Sequence, residues 1–234
     1  MKVSDIQVTL IDHMGSDLSV VNAARVSFHK ESKWAEDLGP ENWQCELRDG
    51  DKKLINYLAK HKHFSPFNHA FITMRIKSPI FVARQLVKHR FMPWNEVSRR
   101  YVDDEPEFYI PSEYRLKADN VKQGSSNLTA ELFVNPWGHE ECKINDVHHQ
   151  HIDAALTLYH SLIDQNICPE QARMVLPQNM MTEWIWSGTL GAWCDMLRLR
   201  LDPHTQYESR IVAQKARALI EPLFPVSVKA LLND

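Results

Sequence analysis

Glycine is scarce in this chain: there are 7 in 234 residues, at positions 15, 39, 50, 124, 138, 188 and 191. None falls into GxGxxG or GxxxxGK spacing, so a dinucleotide bound here would be held by neither a Rossmann turn nor a Walker loop. Cysteine is also scarce. Cys45, Cys142, Cys168 and Cys194 stand far apart without a CxxC pair, which argues against a zinc ribbon and a disulfide framework and fits reduced thiols. No apolar run reaches membrane-spanning length, and the opening MKVSDIQVTLIDHMG has no apolar core. Neither a membrane span nor a signal peptide is therefore expected, and the expected location is cytoplasmic. There is no excess of positive charge either. Lys plus Arg number 27 against 30 Asp plus Glu, a net charge of −3, which speaks against a general DNA or RNA binder. No GxSxG or comparable nucleophile signature occurs.

Hydrophobic residues make up 44% of the chain, enough to bury a real core, and this length suits one large domain or two small ones. Alternation predicts strands over 5–12, 70–77 and 180–186, with a further extended stretch at 107–111. Asp17 is expected to cap a helix running to Phe28, and an amphipathic helix is expected over 51–61. Ser78-Pro79 reads as an N-cap and N1 pair for a helix to about Arg90, with Pro93 stopping it and a loop carrying Trp94 to Asp104. Further helices are expected over 145–165, from Pro169, over 190–201, and from an Asp202-Pro203 cap to about Leu223. Residues 30–50 and 112–144 are polar, and both are expected to be irregular loops or insertions. Helices and few strands mix without a βαβ rhythm, so the expected class is α+β, one domain with a small antiparallel-type sheet.

Charge gathers in one stretch, RQLVKHRFMPWNEVSRRY (84–101). Arg84, Lys88, Arg90, Arg99 and Arg100 fall within it beside His89, Gln85, Asn95, Glu96 and Ser98. Arg84, Gln85, Lys88 and His89 would share a helix face, a pattern that also suits plain solvated surface. The following loop adds donors and acceptors, and the mix fits a phosphate-plus-nucleobase site, since Arg forks grip phosphate and Lys meets it as a point charge. On the 190–201 helix, Trp193, Leu197 and Arg200 share a face. Arg200 lies in the last turn, where the helix dipole favours a cation, and the next helix is expected to hold His204 in its first turn. A pocket or a simple helix-end salt bridge would both account for that corner. HFSPFNH (63–69) and HHQH (148–151) are histidine-rich, but HHQH has no third ligand at suitable spacing, so no metal is expected.

KHRFMPWNEVS resembles the signature of the flavin-dependent thymidylate synthases: Arg-His-Arg, seven residues, then Ser. His89, Arg90 and Ser98 match, and Lys88 stands at the first position. NAARVSF (22–28), HFSPFNH, SPIFVARQ (78–85), SRRY, EFYIPS, QARMVLP (171–177) and LRLRLDPHTQYE (197–208) are similar to family blocks in family order, so the resemblance spans nearly the whole chain.

The resemblance implies a methyltransferase that makes dTMP from dUMP, with methylenetetrahydrofolate as carbon donor and NADPH supplying a hydride through FAD. It implies a homotetramer of the α+β family fold, with sites between subunits and small molecules rather than nucleic acid or membrane as partners. By residue, it implies that Arg200 contacts the uracil and is catalytic. The dUMP site would take Gln85, Leu86, Val87, Lys88, Glu96, Val97, Ser98, Arg99, Arg100 and Arg173. FAD would meet Ser65, Lys88, His89, Arg90, Asn95, Glu96, Thr189, Gly191, Asp195 and His204. Some positions depart from the family. Lys88 keeps a charge without the planar fork, and Asn68 stands where a glutamate is usual. Thr189, Gly191 and Asp195 stand where some members carry Asn, Arg and Asn. Two other classes keep a place: a nucleotide-binding protein without activity, and a single-strand binder stacking bases on Phe91, Trp94 and Tyr101.

Overall fold

The computed structural model describes residues 1–35, 46–102, 104–119, 124–135, 138 and 140–233. Two strands come first, β1 (Lys2–Val3) and β2 (Gln7–Met14). The helix α1 (Asp17–Arg25) follows and tightens into a 3₁₀ turn over Val26–Phe28. Its cap is Ser16, not Asp17: the N3 residue Ser19 and Ser16 form a capping box. Asp17 is inside the helix and buried, and serves another element described below. Of the loop expected at 30–50, residues 36–45, Cys45 among them, lie outside the described residues, and Asp49-Gly50 instead begins α2 (Asp49–Lys60).

The central strand is β3 (Phe71–Pro79). Its alternation is real: Ile72, Met74 and Ile76 are fully buried, while Thr73, Arg75 and Lys77 lie on the less covered face. Ser78 and Pro79 remain in register with the sheet, so Ser78 does not cap a helix. Pro79 takes the N-cap position at ψ 150°. Consequently α3 is short, Ile80–Leu86, and Lys88, His89 and Arg90 lie in the turn after it rather than on its face. Phe91 reverses the chain at φ 60°, and Trp94–Glu96 forms an edge strand, β4, where a loop was expected.

The polar stretch 112–144 is also more regular than its composition suggests. After β5 (Glu107–Phe108), the strands β6 (Tyr114–Lys117) and β7 (Ser125–Ala130) pair antiparallel, as do β8 (Leu132–Val134) and β9 (Glu141–Lys143). The helix α4 (Ile144–Asp164) follows, then α5 (Pro169–Ala172), a 3₁₀ turn holding Arg173, and β10 (Met181–Thr189). The helix α6 (Leu190–Arg200) springs directly from β10, with the Thr189 hydroxyl accepting the Ala192 N–H at 3.2 Å. Asp202-Pro203 starts a turn and not a helix, because Asp202 receives the N–H groups of His204 and Thr205. The helix α7 (Tyr207–Ile220) begins beyond it, and α8 (Pro225–Leu232) follows.

The main sheet runs β2-β3-β10-β4, antiparallel throughout. Register pairs Phe71 with Thr189 and Pro79 with Met181, so α3 and α6 leave the sheet from opposite ends of its central pair. Trp184, Trp186 and Trp193 fill the core, the last donating its indole N–H to Ile72 O at 3.1 Å. A smaller cluster of Phe108, Ile152, Leu156 and Met180 seats α4. Asp17 ties α1 to α8: its carboxylate accepts the N–H groups of Val226 at 2.8 Å and Ser227 at 2.9 Å, donors that otherwise lack partners in a helix's first turn.

Candidate active site

Arg200 is where the sequence expectation and the geometry meet most closely. It ends α6, half-buried, and reaches the turn after α3. Its Nε–H donates to His89 Nε2 at 3.0 Å and a terminal N–H to Gln85 O at 2.7 Å. Both acceptors are neutral, and among the described residues no carboxylate pairs with this guanidinium. Of its five N–H donors, three remain uncommitted. Burial lowers the Arg200 pKa. Burial, and then the Arg200 charge, pulls His89 down to about 4, so at neutral pH the imidazole is uncharged and its bare Nε2 accepts.

This corner opens into a cleft of about 920 Å³, near the upper end of the range usual for small-molecule sites. Gln85, Lys88, Arg200 and His204 all line it, with Arg84 beside them. Among the described residues, Arg84, Lys88 and Arg90 have no carboxylate partner. Other basic groups of the fold do: Arg25 with Asp51, Lys77 with Glu107, Arg99 with Asp104 and Arg115 with Glu208. Positive charge is thus left unneutralised at this corner. The Gln85 side chain is held in turn, accepting the Ser209 hydroxyl at 3.1 Å and donating to Gln206 Oε1.

The remaining expected contacts lie elsewhere on the single chain. Glu96, on β4, accepts from Thr182 Oγ1 at 2.7 Å and from the Trp94 indole at 3.0 Å. Asn95 beside it is exposed, and Val97 donates its N–H to Glu183 O. Ser98 and Arg100 share a tight turn in which the guanidinium sits over Tyr101, while Arg99 is committed to Asp104. Arg173 is exposed, as is Ser65 at the head of the 3₁₀ turn Ser65–His69. Leu86 turns its side chain wholly into the core and its carbonyl receives the His89 N–H, whereas Val87 is half-exposed.

Three of the departures from the family pattern prove to be one contact. Thr189 Oγ1 donates to Asn68 Oδ1 at 2.9 Å, and a Cβ placed on Gly191 would lie 2.9 Å from that same oxygen. Asn68 can occupy this place because residue 191 has no side chain. Asp195 pairs with Arg198 at 2.7 Å one turn on.

Another part of the cleft lining was not assigned to the site from the sequence, although HHQH, EFYIPS and LRLRLDPHTQYE contain His148, Tyr109 and Glu208. It is built from Tyr109, Tyr114, Arg115, His148, Asn179 and Glu208, which come from five separate segments. Glu208 is buried, receives Arg115 at 2.6 Å and holds Gln206 at 3.1 Å. Burial, reinforced by that carboxylate, pushes the Tyr109 phenol up to about 12.

Comparison with known proteins gives a consistent picture. Residues 9–226 match the family described as "Thymidylate synthase complementing protein". The flavin-dependent thymidylate synthase of Kosmotoga olearia is 36% identical over 226 residues, covering 97% of this chain and 90% of that protein. That of Pseudothermotoga lettingae is 34% identical over 228 residues, with the same coverage. Among solved structures, the UMP/dUMP methylase PolB from Streptomyces cacaoi bound with 5-Br UMP superposes with a TM-score of 0.80 at 28% identity, covering 100% of this chain and 96% of that one. The same protein bound with 5-Br dUMP gives 0.78 at 29%.

Proposed function

We propose that this chain, which belongs to the family of flavin-dependent thymidylate synthases, makes dTMP from dUMP, with methylenetetrahydrofolate as the one-carbon donor and NADPH as the reductant of a bound FAD. The observation that carries this is the Arg200 guanidinium, fixed by two neutral acceptors, with its charge and three donors unspent. A cation set against N3 and O2 of a uracil stabilises negative charge on the ring, and does so more strongly in a cleft than in water. Charge drawn into the ring makes C5 nucleophilic toward the one-carbon unit. No enzyme thiol is needed for that step. Among the described residues no cysteine lines the cleft, and burial pushes the Cys194 thiol up to about 12.

The residues also suit the flavin. Arg84, Lys88 and Arg90, without a carboxylate partner among the described residues, are cations of the kind a diphosphate requires, and they would do the work of the missing glycine loop. His89, locked with Nε2 as acceptor, keeps an Nδ1–H to donate. Bound FAD would supply the hydride that completes the methyl group. Ser98, Arg100 and Arg173 do not line the Arg200 cleft, and Phe91, Tyr101 and Met174, near them in sequence, are 90%, 78% and 75% exposed. A homotetramer with sites between subunits would cover these apolar groups and bring the remaining contacts to the cleft.

The test is the visible spectrum of the purified protein with FAD, followed by anaerobic NADPH with and without dUMP, and then product analysis. Flavin bands that bleach and respond to dUMP, with dTMP formed once folate is added, are the expected result. A protein that retains no FAD would sink the proposal. Because the solved neighbours are named UMP/dUMP methylases, the same run with UMP decides whether the ribonucleotide is also a substrate.

A further inference from the structure

Tyr114 on β6, His148 on α4 and Asn179 ahead of β10 meet on one wall of the cleft, whereas Gln85 and Arg200 come from α3 and α6. Asn179 fixes the proton positions. Its Nδ2 lies 2.8 Å from Tyr109 O, which can only accept, so the amide nitrogen must face that carbonyl. The same nitrogen lies 3.2 Å from His148 Nε2. An amide nitrogen only donates, so Nε2 is the bare nitrogen of a neutral ring. The ring proton then sits on Nδ1, 2.7 Å from the Tyr114 hydroxyl oxygen, which accepts it. The hydroxyl's own hydrogen is left over, and no described residue receives it.

A second observation points the same way. Asn179 is buried, yet its Oδ1 has no partner among the described residues. An amide that commits both N–H bonds while its oxygen goes unsatisfied is placed to hold the tautomer of His148. Burial, with His151 and His149 nearby, holds the His148 pKa below its ordinary value, and burial raises that of Tyr114. Both groups therefore stay neutral. The adjacent cation Arg115 is neutralised by Glu208 at 2.6 Å, and Glu113 beside Tyr114 adds a carboxylate, so this wall has no free cation to draw an anion and suits an uncharged acceptor.

We propose that Tyr114 donates its hydroxyl hydrogen to an uncharged carbonyl of a heterocyclic ligand in the cleft, with His148 and Asn179 as positioning residues. This rests on the proposed function only for the ligands to be tried. Uracil, flavin and pterin all carry such a carbonyl, and nicotinamide carries one as its carboxamide.

The experiment has two arms on the full chain. Nitrogen-15 NMR of histidine-labelled protein reads the His148 tautomer without any ligand. A proton on Nδ1 is expected, and one on Nε2 overturns the proposal. Calorimetry then measures dUMP, FAD, methylenetetrahydrofolate and NADPH separately against Tyr114→Phe. One of the four should weaken about five- to tenfold, the range of a single neutral hydrogen bond, and so identify the source of the carbonyl. His148→Leu should reproduce that loss although the phenol is intact. His148→Asn, whose amide N–H can stand in for Nδ1–H, should restore most of it. Unchanged affinity for all four, or uniform weakening of all four, overturns the proposal. If the unsubstituted chain binds none of them, it is the functional reading that fails, and the tautomer result still stands.

Discussion

Replacing Arg200 with alanine separates binding from chemistry. The side chain spends one N–H on His89 and one on Gln85 O, and keeps three donors and an uncompensated charge. Removing one preorganised donor at a developing anion typically costs about 10²–10³ in kcat. Here the charge and a planar pair of donors disappear together, so dTMP formation should fall by at least about 10³-fold, or roughly 4 kcal/mol of barrier. FAD retention should change little, because Arg84, Lys88 and Arg90 are untouched. The substitution also carries an internal control. His89 is held at about 4 first by burial and then by the Arg200 charge. Without that charge its pKa should rise toward the ordinary value, which a histidine NMR titration reads directly. Turnover within about tenfold of the unsubstituted enzyme, together with a shifted His89, would refute the role assigned to Arg200.

Acidification should weaken the fold through His89. Its folded pKa, about 4, is below the ordinary 6.5, so between those values the unfolded chain binds more protons and stability falls as pH drops. From pH 7 to 5 the loss should be about 2 kcal/mol in urea titrations, and His89→Asn should flatten the profile. Gly191→Ala should behave differently in two backgrounds. With Asn68→Ala it should stabilise by about 0.5–1 kcal/mol through helix propensity, while the 2.9 Å contact with Asn68 should cancel that gain in the natural sequence. Equal effects in the two backgrounds would exclude the coupling. Lys88→Arg should hold or tighten FAD, measured by fluorescence quenching, since a fork can grip phosphate twice. A loss beyond about tenfold would mean that Lys88 serves another group.

What the sequence made legible was local. The alternation of ITMRIK placed β3 because burial on a sheet has a period of two, and Ile72, Met74 and Ile76 are buried where Thr73 and Arg75 are not. The helix after it was overextended, because Ser78-Pro79 suits an N-cap by type but is held in the sheet by pairing with Met181 and Thr182. That pairing lies a hundred residues away and cannot be read from the local pattern. The hairpins of β6–β9 were missed for a similar reason: their strands are short and mostly exposed, even the apolar LFV of β8, and gain their order from pairing rather than from a buried apolar face. Arg200, Gln85, Lys88 and His204 were named through motif resemblance, and they share one cleft. Tyr114 and Asn179 were not singled out, and His148 was noted only within HHQH as a rejected metal ligand, because separate segments bring the three together. Asn68, Thr189 and Gly191 were each visible as departures, but only coordinates show them touching.

The Asp17 carboxylate has a consequence for the order in which the molecule can be made. The N–H groups it receives lie 209 and 210 residues later in the chain, and Thr73 meets Ser187 across a gap of 114. On a ribosome, α1 emerges long before the groups that satisfy its acid, and β3 waits for β10 with its apolar face open. No early half of this chain is self-sufficient. A chain broken off before residues 225–232 lacks both donors that satisfy Asp17 and the helix that covers it, so the native packing of α1 should not close without them.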